Sequence, residues 1–322
     1  MSGDRFDAIA FQTGFHGVVH VSRGGEVEFA RAYGLAHRGH GIANTIDTRF
    51  AIASGTKGLT ALVVMSLVDE GTLGLDITAR EVLGHDLPLI RDDVTVEHLL
   101  AHRSGIGDYF DENVQHDISD YVLPVSVHTL ADTEAYLTVL DGFPTKFAPG
   151  ERFSYNNGGF VVLALIAERA SGTGFHDLVR DRVCVPAGMV DTEFLRSDHA
   201  TGRTALGYLP DGRTNVFHLP VRGTGDGGIY STAADFSAFW LALFDGRIVS
   251  KGAVADMVRP RSTVPNESLR YGLGFWLRES SDVVRLVGHD VGVSFHSAHD
   301  PATGLTTTVL SNTANGAWPL VE

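Results

Sequence analysis

Residues with strand character lie towards both ends of the chain. Near the N-terminus, residues 17–21 and 26–30 are rich in β-forming residues, and Gly24 and Gly25 between them are typical of a hairpin turn. Four further β-rich stretches follow late in the chain, at residues 271–277, 283–287, 293–298 and 305–310. We predict that the N-terminal hairpin and these late strands pair in one antiparallel sheet.

Helical patterns occupy the middle of the chain. Residues 54–70 carry apolar positions over several turns, and Gly71 follows at a C-cap position, so a helix is predicted to begin at or next to Ser54. Further helical pieces are indicated between about residues 95 and 182. Two more are predicted before the late strands, at residues 232–244 and 251–258.

These elements predict an α+β fold. Residues 1–55 and 225–322 are expected to form a sheet domain flanked by helices, and residues 56–224 an inserted, mainly helical lobe that carries the helix after Ser54. We expect the active site to lie between the two lobes.

Charge and hydropathy narrow the classes of partner. The 39 acidic and 25 basic residues give a formal net charge of −14, which repels nucleic acid and anionic membrane surfaces. The longest apolar run, near residues 61–68, falls short of the roughly 20 residues that a membrane span needs. The first residues lack a basic segment followed by an apolar one, so we predict a cytoplasmic protein with no membrane partner and no nucleic-acid partner.

A serine and a lysine at the start of the predicted helix suggest nucleophilic chemistry. Ser54 and Lys57 are three residues apart, so their side chains project from one helix face. A serine hydroxyl becomes a good nucleophile when a neighbour takes its proton, and a lysine of lowered pKa can do so. The pair alone is also compatible with an N-cap serine followed by a surface lysine.

Two further motifs follow in order along the chain. Tyr155 and Asn157 lie just before a predicted helix, and His289 lies on a late strand. With three matching flanks, at residues 99–106, 225–233 and 271–276, these motifs make the sequence resemble the serine β-lactamase and penicillin-binding-protein family. The resemblance is to the branch shared by class C β-lactamases, DD-peptidases, D-aminopeptidases and several esterases.

The resemblance implies a role for each motif residue. Ser54 would attack a carbonyl, and Lys57 and Tyr155 would pass its proton, with Tyr155 as a phenolate or a shared-proton partner. Asn157 would hydrogen-bond Lys57 and the substrate. His289 would replace the family's third-motif lysine with a titratable group.

The third motif departs from the family pattern at one position. Val291 stands where the family usually has a glycine, and a one-residue deletion would explain the sequence equally well. A branched side chain there is expected to narrow the groove. The second oxyanion donor, beside the N–H of Ser54, is expected to be the N–H of Gly292.

The C-terminus is shorter than the resemblance implies. After Asn312 only a few residues remain, where the family usually packs a longer helix on the sheet. One sheet face is therefore expected to be partly uncovered, or covered by a second subunit.

A metal site is the alternative interpretation of the histidines. His98 and His102 are four apart on a predicted helix, and His296, His299 and Asp300 could supply further ligands. No H-E-x-x-H motif accompanies them, so we predict neither a metal nor a cofactor.

The motifs leave the substrate open among esters, β-lactams and D-amino-acid peptides. The lack of a secretory signal favours a small ester or amide over a cell-wall substrate. A β-lactamase or a D-amino-acid peptidase is the alternative, and a non-catalytic binding or assembly protein is the alternative from another class.

Overall fold

An eight-stranded antiparallel sheet joins the two ends of the chain. The computed structural model describes residues 3–112, 114, 118–199, 202–264 and 267–321. Its strands, in chain order, are β1 Gly17–Arg23, β2 Glu26–Tyr33, β3 Leu35–His37, β4 Ile42–Ala43, β5 Phe50–Ala51, β6 Tyr230–Ser231, β7 Ser262–Thr263, β8 Leu269–Tyr271, β9 Trp276–Arg278, β10 Val284–Asp290, β11 Val293–Asp300 and β12 Leu305–Ser311. The main sheet has the order β2-β1-β12-β11-β10-β9-β8-β7. The predicted α+β fold, with one antiparallel sheet built from both ends, is confirmed.

Helices lie between and around these strands. In chain order they are α1 Gly3–Thr13, α2 Thr56–Asp69, α3 Ala79–Leu83, α4 Val96–Leu100, α5 Leu137–Leu140, α6 Asn157–Ser171, α7 Phe175–Val179, α8 Val185–Ala187, α9 Ala233–Asp245 and α10 Lys251–Met257. No helix within the described residues is long and apolar enough to cross a membrane.

The helix after Ser54 is the centre of the main core. Every residue of α2 from Thr56 to Leu67 is buried, and α6 is buried from Asn157 to Ala167. A helix that is apolar on all sides must be enclosed by other elements. This burial fixes the N-termini of both helices, which carry the first two sequence motifs.

The outer face of the sheet is covered, contrary to expectation. Phe6 and Ala10 of α1 pack with Val19, Val309 and Leu320 in a second apolar cluster. The sequence pattern predicts no helix in the first residues, so α1, which closes this face, is an element that the prediction lacks. The short C-terminal segment completes the cover with a 3-10 turn, Trp318–Leu320.

The stretch at residues 271–277 is two short strands instead of one. β8 ends at Tyr271 and β9 starts at Trp276, and the two pair antiparallel. Gly274, between them, has a φ of 84°, which lies in the left-handed region that favours glycine. The chain therefore reverses where the β-rich composition predicted a continuous strand.

Candidate active site

Ser54 lies in the turn that leads into α2. A 3-10 turn spans Ala53–Gly55, and Ala53 has a φ of 45°, an uncommon conformation for a residue with a side chain. The turn packs against β10, where a Cβ added to Gly288 would lie 2.0 Å from the carbonyl oxygen of Ile52. Glycine is required at this contact, and it brings the edge of β10 directly beside Ser54.

Lys57 is buried one turn further along α2. Its Nζ lies 2.9 Å from Ser54 Oγ, 2.8 Å from Asn157 Oδ1 and 2.8 Å from the backbone carbonyl oxygen of Asp226. The side chain is enclosed, with 2% of the residue exposed. These three contacts account for the whole hydrogen-bonding capacity of the amino group.

Asn157 orients its amide oxygen towards Lys57. Its Nδ2 donates to the Phe110 carbonyl oxygen at 2.9 Å and to Glu112 Oε1 at 3.1 Å. Its backbone N–H donates to Asp108 Oδ2 at 2.7 Å, which anchors the first turn of α6. Because both amide protons have acceptors, Oδ1 is the atom that faces Nζ.

The partners of Lys57 are compatible with a neutral amine as well as with an ammonium group. Two of them, Asn157 Oδ1 and the Asp226 carbonyl, are obligate acceptors, so a neutral amine donates its two N–H groups to them and directs its lone pair at Ser54 Oγ. Burial lowers the pKa of Lys57, while the charge of Asp226 acts in the opposite direction. A neutral Lys57 in this geometry is able to accept a proton from Ser54 Oγ.

The ring of Tyr155 covers Lys57 and the nucleophile. Nζ of Lys57 lies 4.9 Å from the ring centroid, and the ring stacks on Trp276 at a centroid distance of 5.9 Å. Burial raises the pKa of Tyr155 well above its usual value, although a hydrogen bond with Ser54 lowers it. Because a raised pKa keeps the Tyr155 hydroxyl protonated, the shared-proton role of Tyr155 is favoured over the phenolate role.

His102 is a residue whose function the sequence pattern did not reveal. Its carbonyl oxygen accepts the N–H of Ser154 at 2.8 Å, and its Nδ1 accepts the N–H of Asn156 at 3.1 Å. The ring lies 4.4 Å from that of Tyr155, and φ is 53°. Burial lowers the pKa of His102, which keeps Nδ1 an acceptor, so His102 holds the backbone on both sides of Tyr155.

The register of β10 decides which backbone groups face the cleft. Asp290 pairs with Val293 across a two-residue turn, so this closing pair exchanges both N–H···O bonds. Because such pairs alternate, the N–H and C=O of His289, opposite Ser294, point to the other edge of β10. β9 covers that edge only as far as Arg285, so the N–H of His289 faces the open cleft.

Gly292 and Val291 form the turn itself. Gly292 has a φ of 69° and packs against Gly207 and Tyr208, and it is not among the described residues that line the cleft at Ser54. β10 ends at Asp290, so Gly292 lies in the turn after the strand. The structure therefore does not bring Gly292 to Ser54. Val291 is buried and lines the cleft.

The cleft has two compartments that meet at Ser54. The tyrosine compartment is lined by Tyr155, Phe153, Trp276 and Val287. The carboxylate compartment is lined by Tyr109, Tyr136, Leu219, Asp226 and Asp290. Ser54, Glu112 and His289 border both. The carboxylates were missed by sequence reasoning, although Asp290 follows His289 directly and Asp226 lies in the matching flank at residues 225–233.

Three of the histidines considered as metal ligands, His98, His102 and His299, form hydrogen bonds within the protein. His98 Nδ1 accepts the N–H of Thr95 at the start of α4, and His299 Nδ1 bonds Thr306 at 2.8 Å. Within the described ranges, no group of three His, Cys, Asp or Glu side chains is arranged to hold a metal ion.

The geometry of the site is typical of one class of enzyme, and sequence similarity identifies the family. A buried lysine and a tyrosine around a serine at a helix start, beside an open strand edge, is the arrangement of an acyl-transferring serine hydrolase. The family model described as Beta-lactamase matches residues 4–321, and the chain belongs to that family, which confirms the resemblance.

Individual relatives carry different activities in their names. The chain is 29% identical to esterase EstB of Burkholderia gladioli, over 91% of this chain and 85% of EstB. It is 31% identical to a D-aminopeptidase of Brucella anthropi and 28% identical to penicillin-binding protein 4* of Bacillus subtilis, over 85% and 89% of this chain. It spans 51% and 65% of the lengths of those two proteins.

Solved structures agree with the fold. A penicillin-binding protein from Bacillus halodurans superposes with a TM-score of 0.91 at 34% identity, covering 98% of both chains. An octameric penicillin-binding protein homologue from Pyrococcus abyssi gives a TM-score of 0.86 at 26% identity, over 99% of this chain and 75% of that one.

Proposed function

We propose that the protein is an acyl-enzyme hydrolase that cleaves small esters, with Ser54 as its nucleophile. The observation that carries the proposal is the 2.9 Å contact between Ser54 Oγ and Lys57 Nζ, whose two other contacts are obligate acceptors. Such a lysine accepts one proton and returns it, which is what acylation and deacylation require.

Acylation begins when Ser54 Oγ attacks the carbonyl carbon of the substrate. The hydroxyl proton passes to the lone pair of Lys57, and the carbonyl oxygen becomes an oxyanion. The N–H groups of Ser54 and His289 stabilise this charge. The N–H of Ser54 lies at a helix start, where backbone N–H groups have no partner within the helix, and the N–H of His289 points out from the open edge of β10.

The leaving group departs from the side of Tyr155. As the tetrahedral intermediate collapses, the Tyr155 hydroxyl gives its proton to the leaving oxygen, and Lys57 returns the Ser54 proton to Tyr155. Water then attacks the acyl-enzyme, passes a proton back through the same groups and releases the acid. The leaving group therefore occupies the tyrosine compartment and the acyl group the carboxylate compartment.

His289 bears on the choice between esters and β-lactams. Partial burial lowers the pKa of His289, so the ring is neutral near pH 7 and holds a substrate carboxylate weakly. Among the described residues that line the tyrosine compartment, Lys146 pairs with Asp111 at 2.7 Å, and Arg152 lies over Phe147. The name of EstB, at 29% identity, also supports an esterase.

We expect kcat/KM for a short-chain p-nitrophenyl ester to exceed that for penicillin G and nitrocefin by at least about tenfold. This corresponds to about 1.4 kcal/mol of transition-state binding. Steady-state kinetics on the purified protein measure the ratio, with Ser54→Ala as the control for background hydrolysis. Efficient nitrocefin turnover with negligible ester turnover would make the β-lactamase alternative the better account.

A further inference from the structure

We propose that the outer face of β9 and β10 forms an anion-binding subsite, with Arg278 and Arg285 as its cations. It would take a carboxylate or phosphate group carried at the far end of the leaving group. This inference rests on the proposed function, because it assigns the distal part of the leaving group of the substrate. We call this pair of residues the arginine subsite.

The strand register places both arginines on the sheet face that borders the tyrosine compartment. Arg285 lies opposite Trp276, and Arg278 is two residues further along β9. Residues that face each other across a strand pair, and residues two apart on one strand, point to the same face of a sheet. Trp276 and Val287 line the tyrosine compartment, so the arginine subsite continues that compartment along the sheet.

This part of the outer face lies beyond the cover that α1 provides. The buried sheet residues of the apolar cluster under α1 are Val19 on β1 and Val309 on β12, and no described residue of β9 or β10 belongs to that cluster. Arg278 is exposed and Arg285 is partly exposed, and the residue opposite Arg285 on β11 is the small Ala298. The guanidinium groups are therefore accessible to a ligand that extends from the tyrosine compartment.

Both guanidinium groups lack an anionic partner within the part of the chain that the structure describes. No described carboxylate forms an ion pair with Arg278 or Arg285, and Nε of Arg285 is buried without a hydrogen-bond partner. Nδ1 of His296, on the neighbouring strand β11, is also buried and has no partner among the described residues. Buried polar groups in folded proteins are almost always hydrogen-bonded, so these unpaired groups indicate a place for a ligand.

The positive charges on this face repel one another. Burial lowers the pKa of Arg285, the charge of Arg278 lowers it further, and the charge of the exposed Glu267 acts in the opposite direction. Burial, followed by the charges of Arg285 and Arg278, lowers the pKa of His296 to about 3. A bound anion would relieve this repulsion, and guanidinium groups bind carboxylates and phosphates through two parallel hydrogen bonds.

The arginine subsite lies well away from the scissile bond. His289 borders the cleft together with Ser54, and Arg285 precedes it by four residues on β10, which corresponds to about 13 Å along the strand. The carboxylate of a penicillin lies beside the scissile amide bond and does not extend this far. The subsite therefore favours a long leaving group that ends in an anion, and the expected preference for esters over β-lactams is unchanged.

The test compares butyrate esters whose alcohols differ in length and in terminal charge. The esters of 8-hydroxyoctanoic acid and 3-hydroxypropanoic acid are each compared with the ester of the corresponding hydroxy amide, and butyrate release is followed by chromatography. We expect kcat/KM for the long acid to exceed that for the long amide by at least about tenfold, whereas the short acid should have no advantage over its amide. Inorganic phosphate, added at constant ionic strength, should slow turnover of the long acid and leave that of the long amide unchanged.

Two variants remove the charges of the subsite. In Arg285→Gln and Arg278→Gln we expect the acid-to-amide ratio for the long esters to fall by at least about fivefold, with kcat/KM for the amides unchanged. Arg247→Gln is the matched control. Arg247 is exposed after the end of α9 and lines neither compartment, so its replacement changes the net charge equally and should leave the ratio unaltered.

The amide esters separate a failure of the subsite from a failure of the proposed function. Ser54-dependent turnover of the amides, with a ratio near one for the long esters or a ratio that the variants do not change, would overturn the inference and keep the proposed function. If Arg285→Gln also loses amide turnover, its fold is impaired, and the exposed Arg278→Gln decides. No turnover of any of these esters and no fluorophosphonate adduct on Ser54 would overturn both.

Discussion

Replacing Lys57 with alanine is expected to lower kcat by about a hundredfold or more. The substitution removes the group that we propose to accept the Ser54 proton, whose Nζ lies 2.9 Å from Ser54 Oγ, and removal of a positioned proton-transfer group has an effect of this size. It also leaves Asn157 Oδ1 and the Asp226 carbonyl without their donor, so the melting temperature should be measured beside the rate.

The control for this variant is Lys251→Ala. Lys251 is exposed at the start of α10, so its loss removes a lysine side chain away from the cleft, and kcat should stay near that of the parent protein. Near-normal turnover in Lys57→Ala would mean that another group takes the Ser54 proton.

Tyr155→Phe is expected to lower kcat by a similar factor, about a hundredfold or more. Phenylalanine keeps the ring that packs on His102 and Trp276, so the variant removes only the hydroxyl that we propose to protonate the leaving group. The loss should be larger for an alkyl ester than for a p-nitrophenyl ester, because nitrophenolate departs readily without a proton.

Tyr33→Phe provides the matched control. Tyr33 donates a hydrogen bond to Asp7 on the opposite side of the sheet, so its loss tests the effect of removing a hydroxyl without touching the cleft. Equal rate losses for both kinds of ester in Tyr155→Phe would contradict the assigned proton donor.

The sheet was predictable because its strands have a local signature. The glycines after β1 and the β-rich late segments locate the strands, and the pairing of both chain ends then leaves the middle as an insertion. α1 escaped prediction because few of its residues are buried and its core contacts come from residues near the other end of the chain. The break near Gly274 depends on a backbone conformation that composition does not encode.

The candidate site, like the fold, has some residues whose placement the sequence predicts and others whose placement it does not. The spacing of Ser54 and Lys57 on one helix face predicts their contact directly, and the geometry brings Tyr155 and Asn157 to them. To place Gly292, one must know at which residue β10 ends. The register of the β10–β11 hairpin determines that residue, and the sequence alone does not. Glu112 and Asp226 come from loops far apart in the chain, so only the folded structure shows that they share a compartment.

Intact-mass spectrometry of the protein after incubation with a fluorophosphonate, followed by peptide mapping, tests whether Ser54 is the nucleophile. We expect a single adduct, located on Ser54, that is strongly reduced in Lys57→Ala and absent in Ser54→Ala. An adduct on Ser104 or Ser154 with none on Ser54, or an unmodified protein after prolonged incubation, would show that Ser54 is not the nucleophile.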